Sequence, residues 1–173
     1  MLKRFARAKS GVAAIEFALM LPLVVLGFLG ANEVSSAVQV SQKVSQTAST
    51  TADLVAQASA ISNSDMTNIF SAANAIAFPY STDGESIVVS SLGDIGGGKG
   101  KVLWSSAQNG TGRTVGSTIT MPVGIMPTNG TVILAEVNYP FTPTTTMAIS
   151  TTIQMHSQFY SRPRRVTSIP RTS

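Results

Sequence analysis

The sequence predicts an α+β fold, in which a long N-terminal helix and a second short helix precede a small antiparallel β-sheet. Two observations support this prediction. An apolar run at residues 12–31 leads into residues 32–61, which contain neither Gly nor Pro, as a continuous helix requires. Alternating strand patterns separated by glycine-rich turns then fill residues 86–160. The 173 residues allow one modest domain besides the apolar segment.

The N-terminal segment has the pattern of a membrane-spanning helix. About twenty mostly apolar residues follow Gly11, enough to cross a bilayer core of about 30 Å at about 1.5 Å per residue. Because cations before a span stay in the cytoplasm, the basic residues of the first segment predict a cytoplasmic N-terminus and a body outside the cytoplasm. These residues are Lys3, Arg4, Arg7 and Lys9.

Glu16 interrupts the apolar run, where a carboxylate without a partner costs about a few kcal/mol in lipid. A plain single-pass anchor has no use for it. A cleaved secretory signal is the other alternative, with a small-residue site at 30–31 or 35–37, although its apolar stretch is usually only about 7–15 residues. Pro22 removes one helical hydrogen bond and predicts a kink or a local loosening of the helix.

The segment at residues 32–61 predicts an outward continuation of the same helix to about Ile61. One narrow apolar face supports it, formed by Val34, Val38, Val44, Ala48, Val55 and Ala58. Residues 62–65 have turn and cap chemistry, and a second helix is expected at 66–77, ending before Pro79. This second helix begins the predicted globular domain, residues 62–161.

Five strand patterns complete that domain. Residues 86–92 and 101–107 flank the glycine-rich turn 96–100 as a hairpin would, and residues 117–121 form a weak candidate. Residues 131–141 form the strongest strand pattern, and residues 147–160 the last. The segment 162–173, which is rich in basic residues, is expected to form a flexible tail.

Charge and composition exclude several classes of function. The net charge of +4 comes from the two ends, because the body between them has four basic residues against eight acidic ones. A basic groove for nucleic acid is therefore not expected. The chain has no Cys, which excludes disulfides, thiolate metal sites and cysteine nucleophiles.

No constellation predicts an active site, a metal site or a cofactor site, so the chain is not expected to be an enzyme. Residues 93–100 nearly match a phosphate-binding loop, but Gly100 replaces the hydroxyl residue and a strand follows instead of a helix. The two Asn-Gly-Thr sequences, at 109–111 and 129–131, are interpreted as turns. His156 lacks partners and is expected near the sheet edge, while Asp83 and Glu85 are expected in a solvated turn.

Gly11, followed by Glu16 at the start of a membrane helix and then by Phe17 and residues 18–22 (ALMLP), resembles the TadE-like minor pilins of the tight-adherence pilus machinery. A weaker similarity covers residues 132–143 and 162–165. The resemblance implies a pilin-like fold. It also implies that residues 1–11 are a leader removed by a prepilin peptidase, so that the mature chain begins at Val12. Glu16 would pair with the freed amino group of Val12 on a neighbouring subunit.

The functional expectation from this resemblance is a minor pilin, or pseudopilin, that helps to initiate or prime a type IVb-like pilus. The implied partners are the major pilin, sister pseudopilins, the inner-membrane assembly platform and the lipid bilayer. The body would lie in the periplasm, either held at the bacterial inner membrane or incorporated in the pilus. The alternatives are a periplasmic binding or adhesion module that never polymerises, and an exported enzyme.

Overall fold

The computed structural model describes residues 9–143, 145 and 149–172, with side chains from Gly11 onward. It confirms the predicted α+β fold. The elements are α1 (Lys9–Ala56), α2 (Asn63–Ala77), β1 (Ser86–Asp94), β2 (Lys99–Gln108), β3 (Thr118–Thr120), β4 (Thr131–Phe141) and β5 (Ile153–Ser161). The chain forms two compact units, one containing the residues up to Val38 with the segment 142–152, the other containing 39–141 and 153 onward.

The five strands form one antiparallel sheet in the order β3-β2-β1-β4-β5. Strand β4 has the bounds that its alternating pattern predicts. It pairs with β1 on one side, where Val89 lies opposite Ala135, and with β5 on the other, where Ala135 lies opposite Phe159. Both faces of β4 are buried, because Ile133 and Leu134 are equally inaccessible to solvent.

The two faces of the sheet have different cover. One face carries a cluster of Leu92, Val102, Val132 and Leu134, over which Met121 of the segment after β3 packs. The opposite face adjoins the outer part of α1, since Val40 and Val44 line a small gap together with Tyr139 of β4. A stripe at helical spacing is buried there: Val40, Val44, Ala48, Ala52 and Val55.

The prediction of one apolar face on this helix is therefore confirmed from Val44 to Val55, where the predicted residues are buried, but it is wrong for the residues predicted before Val44. Val34 and Val38 are exposed to solvent. Each fully buried valine stabilises the domain by roughly 1.5–3 kcal/mol, so packing and not the weak helix propensity of a Ser- and Thr-rich sequence holds this part of α1.

Helix α1 ends at Ala56, earlier than the predicted end at Ile61. The carbonyl oxygen of Ala56 accepts a hydrogen bond of 2.9 Å from the amide of Arg164. Ile61 forms a parallel bridge with Arg171, and its amide donates to the carbonyl of Pro170 at 3.0 Å. Hydrogen bonds to the C-terminal segment thus replace those that another helical turn would make.

The C-terminal segment differs from the flexible tail that its composition suggests. Ile169 is buried, and its carbonyl accepts a hydrogen bond of 2.7 Å from the indole of Trp104. The Thr131 hydroxyl donates to the carbonyl of Thr167 at 2.7 Å, and Arg164 forms an ion pair with Asp53. Residues 162–172 therefore belong to the folded unit, because they supply both core and backbone partners.

Helix α2 begins at Asn63, three residues before the predicted start at residue 66, and its N-cap, Ser62, lies in the predicted cap segment. The Ser62 hydroxyl accepts from the amide of Asp65 at 3.2 Å, while the Asp65 carboxylate accepts from the amide of Ser62 at 2.8 Å. This reciprocal pair is a capping box, which satisfies two of the free amides at a helix start. The Ser62 hydroxyl also donates a hydrogen bond of 2.7 Å to the Asp65 carboxylate, and this bond, together with that from the Ser62 amide, lowers the pKa of Asp65.

The glycine-rich segment forms the tip of the β1–β2 hairpin, as predicted. Gly96, Gly97 and Gly98 all have positive φ angles, and the Asp94 carboxylate accepts a hydrogen bond of 2.9 Å from the amide of Gly96. Asn109 and Asn129 also adopt positive φ, consistent with the predicted turns. Strand β5 begins at Ile153, later than the predicted start at Met147, which lies outside the described residues.

Candidate membrane and processing segment

The first part of α1 is apolar on every side and exposed. The large apolar residues between Val12 and Phe28 are 44–72% exposed, and the most apolar stretch of this helix is nowhere buried. A helix with an apolar surface all round is stable in lipid or within other protein. The segment is long and apolar enough to cross a membrane and fits a single-pass anchor.

The bond between Gly11 and Val12 lies close to the first described residue of α1, Lys9. No atom lies within 4 Å of the position that a Cβ on Gly11 would occupy, and Val12 is exposed. The bond is therefore sterically accessible. Lys3, Arg4 and Arg7 lie outside the described residues, so their predicted role stays a prediction.

Glu16 is exposed on the apolar part of α1. It follows Val12 by four residues, which places the two on one helix face about 6 Å apart along the axis. Within residues 11–143, 145 and 149–172, ion pairs join Arg113 to Glu136 and Arg164 to Asp53, and neither involves Glu16. The Glu16 side chain is thus on the outer surface of the helix, where it can contact another molecule.

Pro22 lies inside α1, which continues on both sides of it. The proline has no amide hydrogen, so the carbonyl of Ala18 loses its usual helical donor. The predicted kink or loosening at this point stays a prediction.

Glu33 is a buried acid whose burial nothing in its local sequence indicates. It is 3% exposed, and its carboxylate accepts hydrogen bonds from the amide of Ile149, at 3.0 Å, and from the hydroxyl of Thr145. Glu33 follows the apolar run directly. It therefore ties the β4–β5 connection to the helix at the point where a membrane span would end.

Glu85 corrects the prediction of a solvated acidic turn. Asp83 is exposed, but Glu85 is buried, and its Oε2 atom has no hydrogen-bond partner among the described residues. Burial raises the pKa of Glu85, because a low-dielectric site disfavours the charged form. His156 lies on the edge strand β5, as predicted, with its Nδ1 atom 2.7 Å from Oδ1 of Asn138.

Sites for small ligands are poorly developed in the part of the chain that the structure describes. No group of three or more His, Cys, Asp or Glu side chains converges there. An open groove of about 490 Å³ lies between α2 and β2, where Met66, Phe70, Gln108 and Arg171 contribute to its wall. Arg171 is already engaged in this groove by the carbonyl of Ile61 and the side chain of Asn63.

The chain thus combines an α+β domain with a preceding exposed apolar helix that carries an acid near its start, and this helix fits a single-pass membrane anchor. The more particular assignment comes from family comparison, in which the model described as TadE-like protein matches residues 11–53. This match covers the segment with Gly11, Glu16 and the apolar run, agrees with the resemblance noted for those residues, and suggests a Tad pilus-related protein. Neither the curated proteins nor the solved structures contain a significant match to the chain.

Proposed function

We propose that this protein is a membrane-anchored minor pilin, or pseudopilin, that helps to initiate or prime assembly of a tight-adherence pilus. The observation that carries the proposal is the grouping of an accessible Gly11–Val12 bond, an exposed apolar helix and Glu16 within the segment that matches TadE-like proteins. The protein acts by assembly, and no enzymatic activity is proposed for it.

Processing supplies the chemical change in this proposal. A prepilin peptidase hydrolyses the bond after Gly11, which removes the basic leader and leaves a new ammonium group on Val12. The glycine leaves the peptidase room to approach, because nothing occupies the space beside it. The basic leader residues keep this bond at the cytoplasmic face, and the body lies in the periplasm.

Charge pairing supplies the assembly step. A carboxylate and an ammonium group are each costly in an apolar environment, and the cost falls when they contact each other. The Glu16 carboxylate of one subunit would therefore accept a hydrogen bond from the Val12 ammonium group of a neighbouring subunit. The neighbours are the major pilin and sister pseudopilins, and the inner-membrane assembly platform brings them together in the lipid bilayer.

The first test is the mass and N-terminal sequence of the chain produced together with its prepilin peptidase. We expect a mature chain that begins at Val12. Gly11→Trp should leave the precursor uncut, because its side chain fills the space beside the bond. Gly27→Trp is the matched control, since Gly27 lies in the same helix and also has nothing within 4 Å. A mature start between residues 32 and 38 would instead identify a cleaved secretory signal.

The second test separates assembly from insertion. Glu16→Ala should insert and be processed like the wild type, because it removes only a polar cost, but it should recover much less pilin partner on co-purification. Glu16→Asp should give an intermediate result, since it keeps the charge and shortens its reach. Leu19→Ala, at an exposed position of the same helix, is the control. Undiminished co-purification by Glu16→Ala would favour the alternative, a permanently anchored binding or adhesion module.

A further inference from the structure

The β4–β5 connection is fastened to α1 by Glu33. Residues 142–152 belong to the same compact unit as the helix up to Val38. The buried Glu33 carboxylate accepts a hydrogen bond of 3.0 Å from the amide of Ile149 and another from the hydroxyl of Thr145. Because a backbone amide donates one of these bonds, the attachment fixes the course of the chain at Ile149 and not only the position of a side chain.

The place of Glu33 along α1 sets the depth of this attachment relative to a bilayer. The apolar run ends at Ala31, and Glu33 lies about 3 Å further along the helix axis. A bilayer is about 40–45 Å thick with a hydrocarbon core of about 30 Å, which leaves about 5–7 Å for each headgroup layer. With the apolar run in the core, Glu33 and the chain bound to it lie within a headgroup layer. Val38, about 10 Å beyond Ala31, lies past that layer.

The composition of the connection suits such a layer. No Asp, Glu, Lys or Arg occurs in residues 137–161, so the connection brings no carboxylate close to the lipid phosphates, which would repel it. Ser150 and Thr151 are exposed, and their hydroxyl groups can donate hydrogen bonds to phosphate and ester oxygens. Glu33 itself is 3% exposed, so its charge is shielded from the phosphates.

We propose that the part of the connection bound to Glu33, at Thr145 and residues 149–151, lies in the headgroup layer of the membrane that holds α1. Its partner is the phospholipid surface, whose phosphate and ester oxygens accept hydrogen bonds from the exposed hydroxyl groups. Glu33 holds this part of the chain at that level. The connection is then a second membrane contact beside the span, and a contact at the end of a span limits the tilt and rotation of the helix.

This inference rests on the membrane anchoring of α1, which is one part of the proposed function, and not on processing or pilus assembly. Anchoring has its own measurement, because Leu23 is 68% exposed near the middle of the apolar run. A fluorophore on Leu23→Cys should be quenched by phospholipids that carry a nitroxide on the acyl chain. Without that quenching α1 is not in the bilayer, and the anchoring and this inference both fail.

The absence of Cys from the chain allows a single fluorophore to be placed at each chosen position. The full chain is reconstituted in phosphatidylcholine nanodiscs, one chain per disc, in which some headgroups carry a nitroxide. The label on Ser150→Cys should be quenched about as strongly as one on Val34→Cys and more strongly than one on Val38→Cys. Val34 and Val38 are matched references, because they are 54% and 52% exposed on one helix and only Val34 lies within the headgroup layer.

Variants of Glu33 test what holds the connection at this level. Glu33→Ala removes the acceptor and should lower the quenching of the Ser150→Cys label to the level of the Val38→Cys label. Glu33→Gln keeps an oxygen that can accept the amide of Ile149, so it should keep most of the quenching. Asn32→Ala, at an exposed neighbouring position of α1, is the matched control and should leave the quenching unchanged.

The result in the wild-type background decides the proposal without any Glu33 variant. If the Leu23→Cys label is quenched but the Ser150→Cys label responds to iodide in the water and no more to headgroup nitroxides than the Val38→Cys label does, the proposal is overturned. The connection would then face water or a protein partner. Undiminished quenching in Glu33→Ala, with Trp104 fluorescence that stays that of the folded wild type, would overturn the role of Glu33.

Discussion

Replacement of Ile169 by alanine should destabilise the folded domain by about 2–5 kcal/mol, the usual cost of truncating a fully buried isoleucine. Ile169 is 1% exposed, although it lies in the segment for which the sequence predicts a flexible tail. Its backbone carbonyl accepts a hydrogen bond of 2.7 Å from the indole of Trp104. Substitution by alanine leaves that backbone carbonyl in place. The change therefore measures the packing of the side chain and not the loss of the hydrogen bond.

The assay is urea denaturation of the full chain in detergent, followed by tryptophan fluorescence. Trp104 is the single tryptophan and lies in contact with the tail, so its emission reports directly on the site. Ile95→Ala is the matched control, because Ile95 is 50% exposed at the tip of the β1–β2 hairpin. Exposed substitutions usually change stability by no more than about 0.5 kcal/mol.

The two alanine variants should therefore differ in unfolding midpoint, with no change in the dependence of the unfolding free energy on urea. Equal midpoints for Ile169→Ala and Ile95→Ala would refute the docked tail. The C-terminal segment would then be the flexible tail that its basic composition suggests.

Three further predictions concern other parts of the chain. Because burial raises the pKa of Glu85 above its ordinary 4.5, the folded state holds this proton more tightly than the unfolded state. The free energy of unfolding should thus fall as the pH rises from the pKa of Glu85 in the unfolded state to its pKa in the folded state. Urea denaturation at a series of pH values should show this decrease for the wild type, and Glu85→Gln should remove it. Ser62→Ala should cost about 1 kcal/mol through loss of the α2 cap, whereas Ser71→Ala, which removes an exposed side-chain hydrogen bond within the helix, should cost less in the same urea assay. A reporter that is active only in the periplasm should be active when fused after Ser173, and activity of a cytoplasmic reporter at that position would contradict the proposed orientation.

Elements with a strong local pattern were predictable from the sequence. The bounds of β4 follow from its alternating apolar residues, and the cap of α2 at Ser62 and Asp65 lies in the predicted cap segment, although the helix starts at Asn63 and not at residue 66. The hairpin tip follows from consecutive glycines, which adopt positive φ at little cost. In each case the residues that decide the structure are close together in the chain.

Features that depend on distant residues were not predictable in this way. Helix α1 stops at Ala56 because Arg164 supplies a hydrogen bond from the other end of the chain. The partners of Glu33 lie 112 and 116 residues further on, so nothing near Glu33 in sequence signals its burial. The burial of Glu85 is hidden from the sequence for the same reason, since neighbouring Ser, Thr and Gly residues indicate a turn but not what covers it.

The docked segment at residues 164–172 also sets the order in which the domain can fold. Synthesis delivers the apolar helix well before this segment, yet Ile169 completes the contact with Trp104, and Thr172 donates a hydrogen bond of 2.8 Å to Ile61. Until these residues have been made, the growing chain already has its apolar helix but lacks these contacts, and its unfinished core is open to proteolysis.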